Sequence, residues 1–178
     1  MHAMRTLVDH SATPTRRSPL IAVTLAVTLA MASLVAGCGA RMIPNTDVPD
    51  TEPNREVIAL CEEYRAAVEE RNAAGILRLV SQRYFDDNGT PLSDDDLDYA
   101  GLQERFVRWE SDVHQVRYEI RYRRVLYDEG SGHVFVDYTY TSHFQVEGVE
   151  GAEWRQRLRD NRMELVREDG HLRIVSGI

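Results

Sequence analysis

Residues 116–140, VRYEIRYRRVLYDEGSGHVFVDYTY, decide the fold class, because they predict two long strands joined by a tight turn. Four apolar or aromatic residues alternate with charged ones at the start of this stretch: Val116, Tyr118, Ile120 and Tyr122. Such a period of two is typical of a strand with one buried face. The alternation slips at 123–124, which predicts a β-bulge, and DEGSG at 128–132 predicts the turn into the second strand.

The strand pattern continues to the end of the sequence. The second strand keeps its aromatic and apolar residues on one parity as far as Val146, and EGVEGAE at 147–153 predicts the next loop. A third long strand is predicted over 154–168, and a turn at 168–170 leads to a last strand at 171–175. Strands that follow one another through such short turns indicate an antiparallel sheet.

Three helices are predicted before the strands. The first follows from an apolar stripe at spacings of three and four residues: Val57, Leu60, Cys61, Tyr64, Ala67 and Val68. A second, short helix is predicted at 73–80, and a third at 94–112 with Ser93 as its N-cap. Helices first and strands afterwards indicate an α+β fold, with three N-terminal helices packed on a curved antiparallel sheet. We expect the sheet to curl around the first helix as a cone with one apolar mouth.

Two stretches carry a resemblance to a known superfamily. EEYRAAVEERNAAGILRLVSQRYFDDNG at 62–89 and MELVREDGHLRIVSG at 163–177, together with the order of helices and strands, resemble nuclear transport factor 2-like proteins. That superfamily includes ketosteroid isomerases, SnoaL-like polyketide cyclases and many binding or accessory domains. The resemblance covers about 55–178 and implies a cone-like fold. It leaves the activity open, because one fold hosts unrelated functions.

The ketosteroid isomerase branch implies three catalytic positions. Its oxyanion hole uses a tyrosine on the first helix and a carboxylic acid on a late strand, and its base is a carboxylate after the second helix. Tyr64 matches the tyrosine of that pattern. The base position falls on Asn88, next to Asp86 and Asp87, and the late-strand acid falls near Asp160.

Each candidate catalytic residue also has a structural explanation, which we favour. Tyr64 lies on the apolar stripe of the first helix, where its ring would pack in the core. Asp86 and Asp87 precede a glycine and are typical turn residues. Asp160 is interpreted as a bulge position, because the apolar parity changes between 158 and 163. If Met163 faces inward, Asp160 points away from the interior.

Aromatic residues on the inward parity of the strands give a second candidate site. Together with Tyr64 they form a predicted ligand pocket: Tyr118, Tyr122, Tyr138, Tyr140, Phe144 and Trp154. Apolar walls with a few hydroxyl groups suit a small organic ligand, and they also suit an ordinary hydrophobic core. RQRLRDNR at 155–162 carries four arginines. We expect these to pair with acids across strands, and an anionic ligand is the weaker alternative.

No metal, cofactor or nucleic acid is predicted as a partner. The acidic run at 93–98 lacks the glycine and glutamate positions of a calcium loop and is assigned to helix capping. The histidines after Cys38 show no zinc-ligand spacing. One of the 29 acidic residues and three of the 21 basic residues lie in 1–37, so the remaining sequence carries a net charge of −10. Such a charge disfavours binding to a phosphate backbone.

The N-terminal sequence predicts export and lipid attachment. Residues 1–19 are polar with three arginines against one acid, and 20–35 form an apolar run of 16 residues, shorter than the ~20 that a membrane-spanning helix needs. The motif Val-Ala-Gly-Cys at 35–38 resembles the lipobox of bacterial lipoproteins. The resemblance implies cleavage after a signal peptide at 1–37 and acyl chains on Cys38. An uncleaved signal anchor is the alternative.

Residues 38–54 are predicted to be the lipidated cysteine and a flexible tether, because 39–54 contain three prolines and no apolar periodicity. The domain itself is predicted at 55–178. Gly39 and Ala40 behind the cysteine resemble the pattern for export to the outer membrane. We therefore expect a lipid-anchored protein of the bacterial cell envelope that faces the periplasm.

Three functions follow as expectations. The first is non-catalytic binding of a small apolar ligand or a partner protein by the anchored domain. The alternative is an isomerase- or cyclase-like enzyme that uses Tyr64 with Asp86 or Asp87. The third is a structural homodimer, since a curved sheet exposes a broad outer face.

Overall fold

The computed structural model describes residues 41–91, 93–148 and 151–178. The elements in chain order are α1 (Glu52–Glu69), α2 (Ala73–Leu79), β1 (Phe85–Asp86), β2 (Leu97–Asp98), α3 (Tyr99–Asp112), β3 (Val113–Asp128), β4 (His133–Gly148), β5 (Gly151–Glu168) and β6 (His171–Ser176). The last four strands form one antiparallel sheet in the order β3-β4-β5-β6, and β1 pairs with β2. The predicted α+β fold with a curved antiparallel sheet is confirmed. The predicted signal peptide and Cys38 lie outside the described residues.

The first two helices start at capping residues that the sequence supplies. The Thr51 side chain accepts the backbone N–H of Asn54 at 3.4 Å, and Pro53 lies in the first turn, where a missing N–H costs nothing. Asn72 Oδ1 accepts the N–H of Gly75 at 2.7 Å to start α2. No helix among the described residues is both long and apolar enough to cross a membrane.

The third helix begins later than predicted, and Ser93 is not its cap. Asp98 is the N-cap of α3, and its side chain accepts the N–H of Gly101 at 2.8 Å. The reason is the short β1–β2 ladder, in which Asp98 pairs with Phe85. This pairing holds Leu97 and Asp98 in an extended conformation, so the helix cannot start before Asp98. The acidic run therefore belongs to the connection that precedes α3.

The register of the sheet gives it two distinct faces. Tyr122 of β3 lies opposite Tyr138 of β4, and Tyr138 lies opposite Asn161 of β5, so these three side chains share the concave face that α1 covers. Register shifts occur next to Val113 and between Tyr122 and Arg124. The second shift confirms the predicted bulge. Bulges of this kind bend a strand and increase its twist, which lets a long sheet curl around a helix.

The interpretation of Asp160 as a bulge is wrong. The pairing of β4 with β5 is continuous from Gly151 to Leu165, and the shift in β5 lies instead between Glu164 and Leu165, where β6 joins it. Leu158 lies on the convex face with 65% of its surface exposed. Its parity therefore carries no information about the core, which explains the misreading.

The hydrophobic core lies between α1 and the concave face of the sheet. Cys61 and Tyr64 are buried on α1, and the Cys61 thiol lies 3.9 Å from the sulfur of Met163 on β5. Full burial of a methionine side chain such as that of Met163 contributes about 1.5–3 kcal/mol to stability. Burial, with a smaller contribution from Glu62, raises the pKa of Cys61 to about 12. The thiol is therefore a core residue and is protonated at neutral pH.

Residues 41–51 do not form a flexible tether, which corrects the predicted boundary at 54. Met42 and Pro49 form a β-bridge, and Val48 is completely buried in the core. The backbone N–H of Asp47 donates to the carbonyl of Tyr122 at 2.9 Å, and its carboxylate pairs with Arg121 at 2.9 Å. A single buried valine produces no periodicity, so the sequence pattern does not reveal the contact.

We expect Val48→Ala to lower the free energy of unfolding by about 1–2 kcal/mol, because it removes two buried methyl groups and leaves a cavity. Val107→Ala is the matched control, since Val107 is 59% exposed on α3, and it should change stability by less than ~0.5 kcal/mol. Urea unfolding followed by circular dichroism measures both. Equal effects of the two substitutions would mean that residues 41–51 are a tether after all.

Candidate functional site

A cavity of about 280 Å³ opens between α1, α3 and the concave face of the sheet. The helices contribute Tyr64, Val68, Leu102, Arg105, Phe106 and Trp109 to its lining. The sheet contributes Val113, Val116, Tyr118, Tyr138, Tyr140, Ser142, Phe144, Arg157 and Asn161, and Ile178 completes it. The wall is thus largely aromatic, with hydroxyl groups, one amide and two guanidinium groups. Concave, mostly apolar pockets with a few polar groups are the usual sites of small-molecule binding.

The aromatic rings of the cavity support one another. Tyr64 meets Tyr118 edge-to-face at 6.2 Å between ring centroids, and Tyr118 lies 5.3 Å from Tyr140. On the helical side, Phe106 and Trp109 form a second edge-to-face pair at 5.9 Å. Such pairs contribute about 0.5–1.5 kcal/mol beyond the burial of their surface. Contacts among its own aromatic side chains therefore stabilise the shape of the cavity.

The tyrosine hydroxyl groups act as neutral hydrogen-bonding groups. Burial raises the pKa of Tyr64, Tyr118 and Tyr138, so all three are protonated at neutral pH. The Tyr138 hydroxyl donates to the carbonyl of Gly177 at 3.2 Å and accepts from Asn161 Nδ2 at 3.1 Å. This network fixes the C-terminal residues of the sequence against the cavity. No proton-accepting role at neutral pH falls to these three hydroxyls.

Five of the seven residues of the predicted pocket line the cavity: Tyr64, Tyr118, Tyr138, Tyr140 and Phe144. Tyr122 is buried farther along the core, where its hydroxyl donates to Glu62 Oε1 at 2.8 Å. Trp154 lies on the convex face opposite Gln145, half exposed, with the Arg117 guanidinium over its ring at 6.0 Å. The prediction for Trp154 is wrong because the face of a residue on β5 follows from the pattern of β4 only if the register between the two strands is known.

Asp86 and Asp87 are outside the lining of the cavity. The Asp86 carboxylate accepts the N–H of Gly177 at 2.9 Å, the N–H of Asn88 at 2.9 Å and the hydroxyl of Tyr84 at 3.2 Å. Asp87 is exposed and accepts the N–H of Gly89 at 2.9 Å. Asp86 therefore ties the turn behind α2 to the C-terminal segment, and Asp87 closes the turn.

Asp160 points away from the cavity. It lies opposite Thr139 on the convex face and accepts that side chain's hydroxyl, whereas Asn161 faces the cavity. Of the four candidate catalytic residues, only Tyr64 reaches the cavity. No aspartate or glutamate lines it among the described residues. A carboxylate side chain that could abstract a proton is thus missing from the part of the lining that the structure describes.

Sequence reasoning missed Arg105, and it considered Arg157 only as part of the run 155–162, with an anionic ligand as the weaker alternative. Arg105 stands on α3 three residues after Leu102, so its place on the apolar side of that helix is a usable signal. Arg157 shares its parity with Met163, which is predicted to face inward. Neither signal leads to the prediction that the arginine lines the cavity, because charged residues are expected on the solvent side of helices and strands.

No cluster of three or more His, Cys, Asp or Glu residues among the described residues is arranged to hold a metal ion. His133 pairs with Glu164 across β4 and β5, and His114 lies 3.5 Å from Glu147. These are cross-strand pairs on or near the surface. They account for two histidines without a metal.

No protein-family model and no curated protein matches this sequence. Solved structures do resemble it in fold. Aln2 from a Streptomyces species is 17% identical, with a TM-score of 0.56 over 74% of this chain and 91% of that chain. A candidate calcium/calmodulin-dependent protein kinase II association domain from Xanthomonas campestris is 18% identical, with a TM-score of 0.56 over 78% and 90%. Kfla4162 from Kribbella flavida is 13% identical, with a TM-score of 0.57 over 70% and 86%.

These neighbours share helices followed by a curved antiparallel sheet with this chain. At 13–18% identity the likeness concerns the fold alone. The chain has a nuclear transport factor 2-like fold.

We expect Asp86→Ala to lower the free energy of unfolding by about 1–3 kcal/mol, because it removes a charged acceptor from Gly177 and Tyr84. Asp87→Ala should cost less than about 1 kcal/mol, since it loses one exposed turn hydrogen bond. The two variants change the same residue type at neighbouring positions and are compared by urea unfolding. If Asp86→Ala lowers the free energy of unfolding no more than Asp87→Ala does, Asp86 has no structural role and is again a candidate for the catalytic base.

Proposed function

We propose that this chain is a lipid-anchored binding protein of the bacterial cell envelope, which holds a small, largely apolar ligand in the cavity without transforming it. The observation that carries the proposal is the composition of the described cavity lining: aromatic rings, tyrosine hydroxyls, an amide and arginines, with no aspartate or glutamate side chain. Such a surface can enclose a ring system and satisfy a few polar atoms.

An isomerase- or cyclase-type reaction is less well supported. It would need Tyr64 and a base on the same bound molecule, within hydrogen-bond reach of the reacting atoms. Tyr64 meets the first requirement, because it lines the cavity. Asp86 is engaged by Tyr84 and Gly177 instead, and Asp160 lies on the opposite face of the sheet. The geometry therefore favours binding over proton transfer.

The anchor part of the proposal rests on the sequence at 35–38. A short apolar run, small residues and then Cys38 form a lipobox-like motif directly before the folded domain. Two or more acyl chains give stable membrane attachment, whereas one chain binds only marginally. With Gly39 and Ala40 next in sequence, we propose the periplasmic side of the outer membrane as the location.

Lipid attachment is tested by metabolic labelling with an alkyne-tagged fatty acid. We expect the wild-type chain to carry the label, Cys38→Ser to lose it, and Cys61→Ser to keep it. Cys61 is the matched control, because it is the only other cysteine and is buried in the core. Labelling that persists in Cys38→Ser would refute the anchor.

Ligand binding is tested with the neutral probe 1-naphthamide, by equilibrium dialysis against the full chain in phospholipid nanodiscs with empty nanodiscs as reference. We expect saturable binding to the wild type and at least a ~10-fold loss in Val116→Trp, because the larger side chain fills part of the cavity. Arg117→Trp is the matched control. Arg117 is the next residue on β3, stands on the convex face, and its replacement should change affinity by less than about twofold.

Failure of the wild type to bind both 1-naphthamide and 1-naphthoate, the carboxylate of the same ring system, would overturn the binding function. Equal affinity of Val116→Trp and the wild type would show that the probe binds somewhere other than the cavity. Both outcomes are distinguishable from misfolding, because circular dichroism of the variants reports the sheet directly.

A further inference from the structure

The two arginines of the cavity lining differ from most other arginines of the domain. Arg124 and Arg162 both pair with Asp137 on the convex face, at 2.6 and 2.7 Å. Arg105 and Arg157 make no hydrogen bond or ion pair with any of the described residues. Their positive charge is therefore not neutralised by the part of the protein that the structure describes.

Arg157 is held at the cavity by an aromatic ring. Its guanidinium carbon lies 5.4 Å from the centroid of the Phe144 ring, and Phe144 itself lines the cavity. A cation above an aromatic face is attracted by the ring quadrupole, and this contact leaves the N–H groups of the guanidinium free to donate. The contact therefore orients Arg157 without occupying its donors.

The arginines of β5 concentrate on the concave face. Arg155, Arg157 and Arg159 lie opposite Phe144, Ser142 and Tyr140, which all line the cavity. The intervening convex positions hold Gln156, Leu158 and Asp160. Of these three arginines, only Arg155 has an acidic partner among the described residues, Glu153 at 3.7 Å. The face of β5 that continues the cavity wall is thus basic, within a sequence of net charge −8.

We infer that the ligand is an organic carboxylate, with one or two rings in the aromatic chamber and its carboxylate held by Arg105 and Arg157. This inference rests on the proposed binding function and names its ligand class. Guanidinium groups donate paired N–H bonds to a carboxylate, and neutral tyrosine hydroxyls can donate to its remaining lone pairs. A volume of about 280 Å³ matches a ligand of this size.

An anionic ligand would explain why no aspartate or glutamate side chain belongs to the described lining. An aspartate or glutamate beside Arg105 or Arg157 would neutralise the guanidinium and repel an anionic ligand. The same lining would disfavour a cationic ligand, because the two unpaired guanidinium groups would repel it. A neutral ligand would form no ion pair with either guanidinium group, and its binding would depend on the aromatic surface, the tyrosine hydroxyls and Asn161.

The test compares 1-naphthoate with its neutral isostere 1-naphthamide, again by equilibrium dialysis with the full chain in nanodiscs of uncharged phosphatidylcholine. We expect the wild type to bind naphthoate at least ~10-fold more tightly than naphthamide. Arg105→Gln with Arg157→Gln should weaken naphthoate binding at least ~10-fold and change naphthamide binding by less than about twofold. Raising the salt from about 50 to about 500 mM should weaken only naphthoate binding, through screening.

A double control removes the same charge elsewhere. Arg108→Gln lies one turn further along α3, where Arg108 faces Glu104, and Arg117→Gln lies on the convex face of β3. This pair should leave both affinities within about twofold of the wild type. An equal loss of naphthoate binding in the control pair would mean that overall charge, rather than the cavity arginines, attracts the anion, which overturns the inference.

The remaining outcomes separate the inference from the function on which it rests. If the wild type binds naphthamide as tightly as naphthoate, the anion preference is wrong and the binding function stands. If the Arg105 and Arg157 variant binds naphthoate like the wild type, the carboxylate is held elsewhere and the inference fails. If neither probe binds, the binding function and the inference fail together.

Discussion

The central constraint in this domain is the mismatch in length between α1 and the strands it covers. Strand β4 has 16 residues, or about 54 Å, and α1 has 18 residues, or about 27 Å. One helix therefore shields only part of the concave face, even after the bulges shorten and bend the sheet. The uncovered part is closed from the side by α3, and the space left between them is the cavity. The core and the site are two sections of the same surface.

This arrangement separates the residues that catalysis in the isomerase branch would require to be together. Tyr64 extends from α1 into the cavity, whereas Asp86 is drawn to the C-terminal segment and Asp160 to the convex face. The isomerase pattern thus finds residues of the right type in this chain, but the carboxylates of Asp86 and Asp160 are used in contacts that stabilise the fold. In place of an aspartate or glutamate side chain, the described lining of the cavity contains Arg105 and Arg157, and their charge is opposite to that of a carboxylate base.

The fold class, the sheet order and the inward tyrosines could be predicted because strand alternation and the α1 stripe are periodic signals that burial imposes directly. The packing of Val48 could not be predicted, because a single buried residue produces no periodic pattern in the sequence. The start of α3 could not be predicted either, because the β1–β2 pairing overrides the capping preference of Ser93. The prediction for Trp154 is wrong because β5 extends beyond β6 as an exposed edge. In that part of the strand, the pattern of apolar and charged residues does not indicate which side chains face the core.

Charged side chains on an exposed strand edge also discourage pairing with other chains, and β5 has such an edge beyond β6. That role would be served equally by arginines on either face, so it does not explain their concentration on the concave one.

The most direct test of the cavity as the binding site is nuclear magnetic resonance of isotope-labelled protein titrated with 1-naphthoate. We predict amide shift changes at Tyr64, on α3 and along the cavity-facing residues of β3 to β5. Changes confined to the convex face around Trp154, or to residues 41–51, would contradict binding in the cavity.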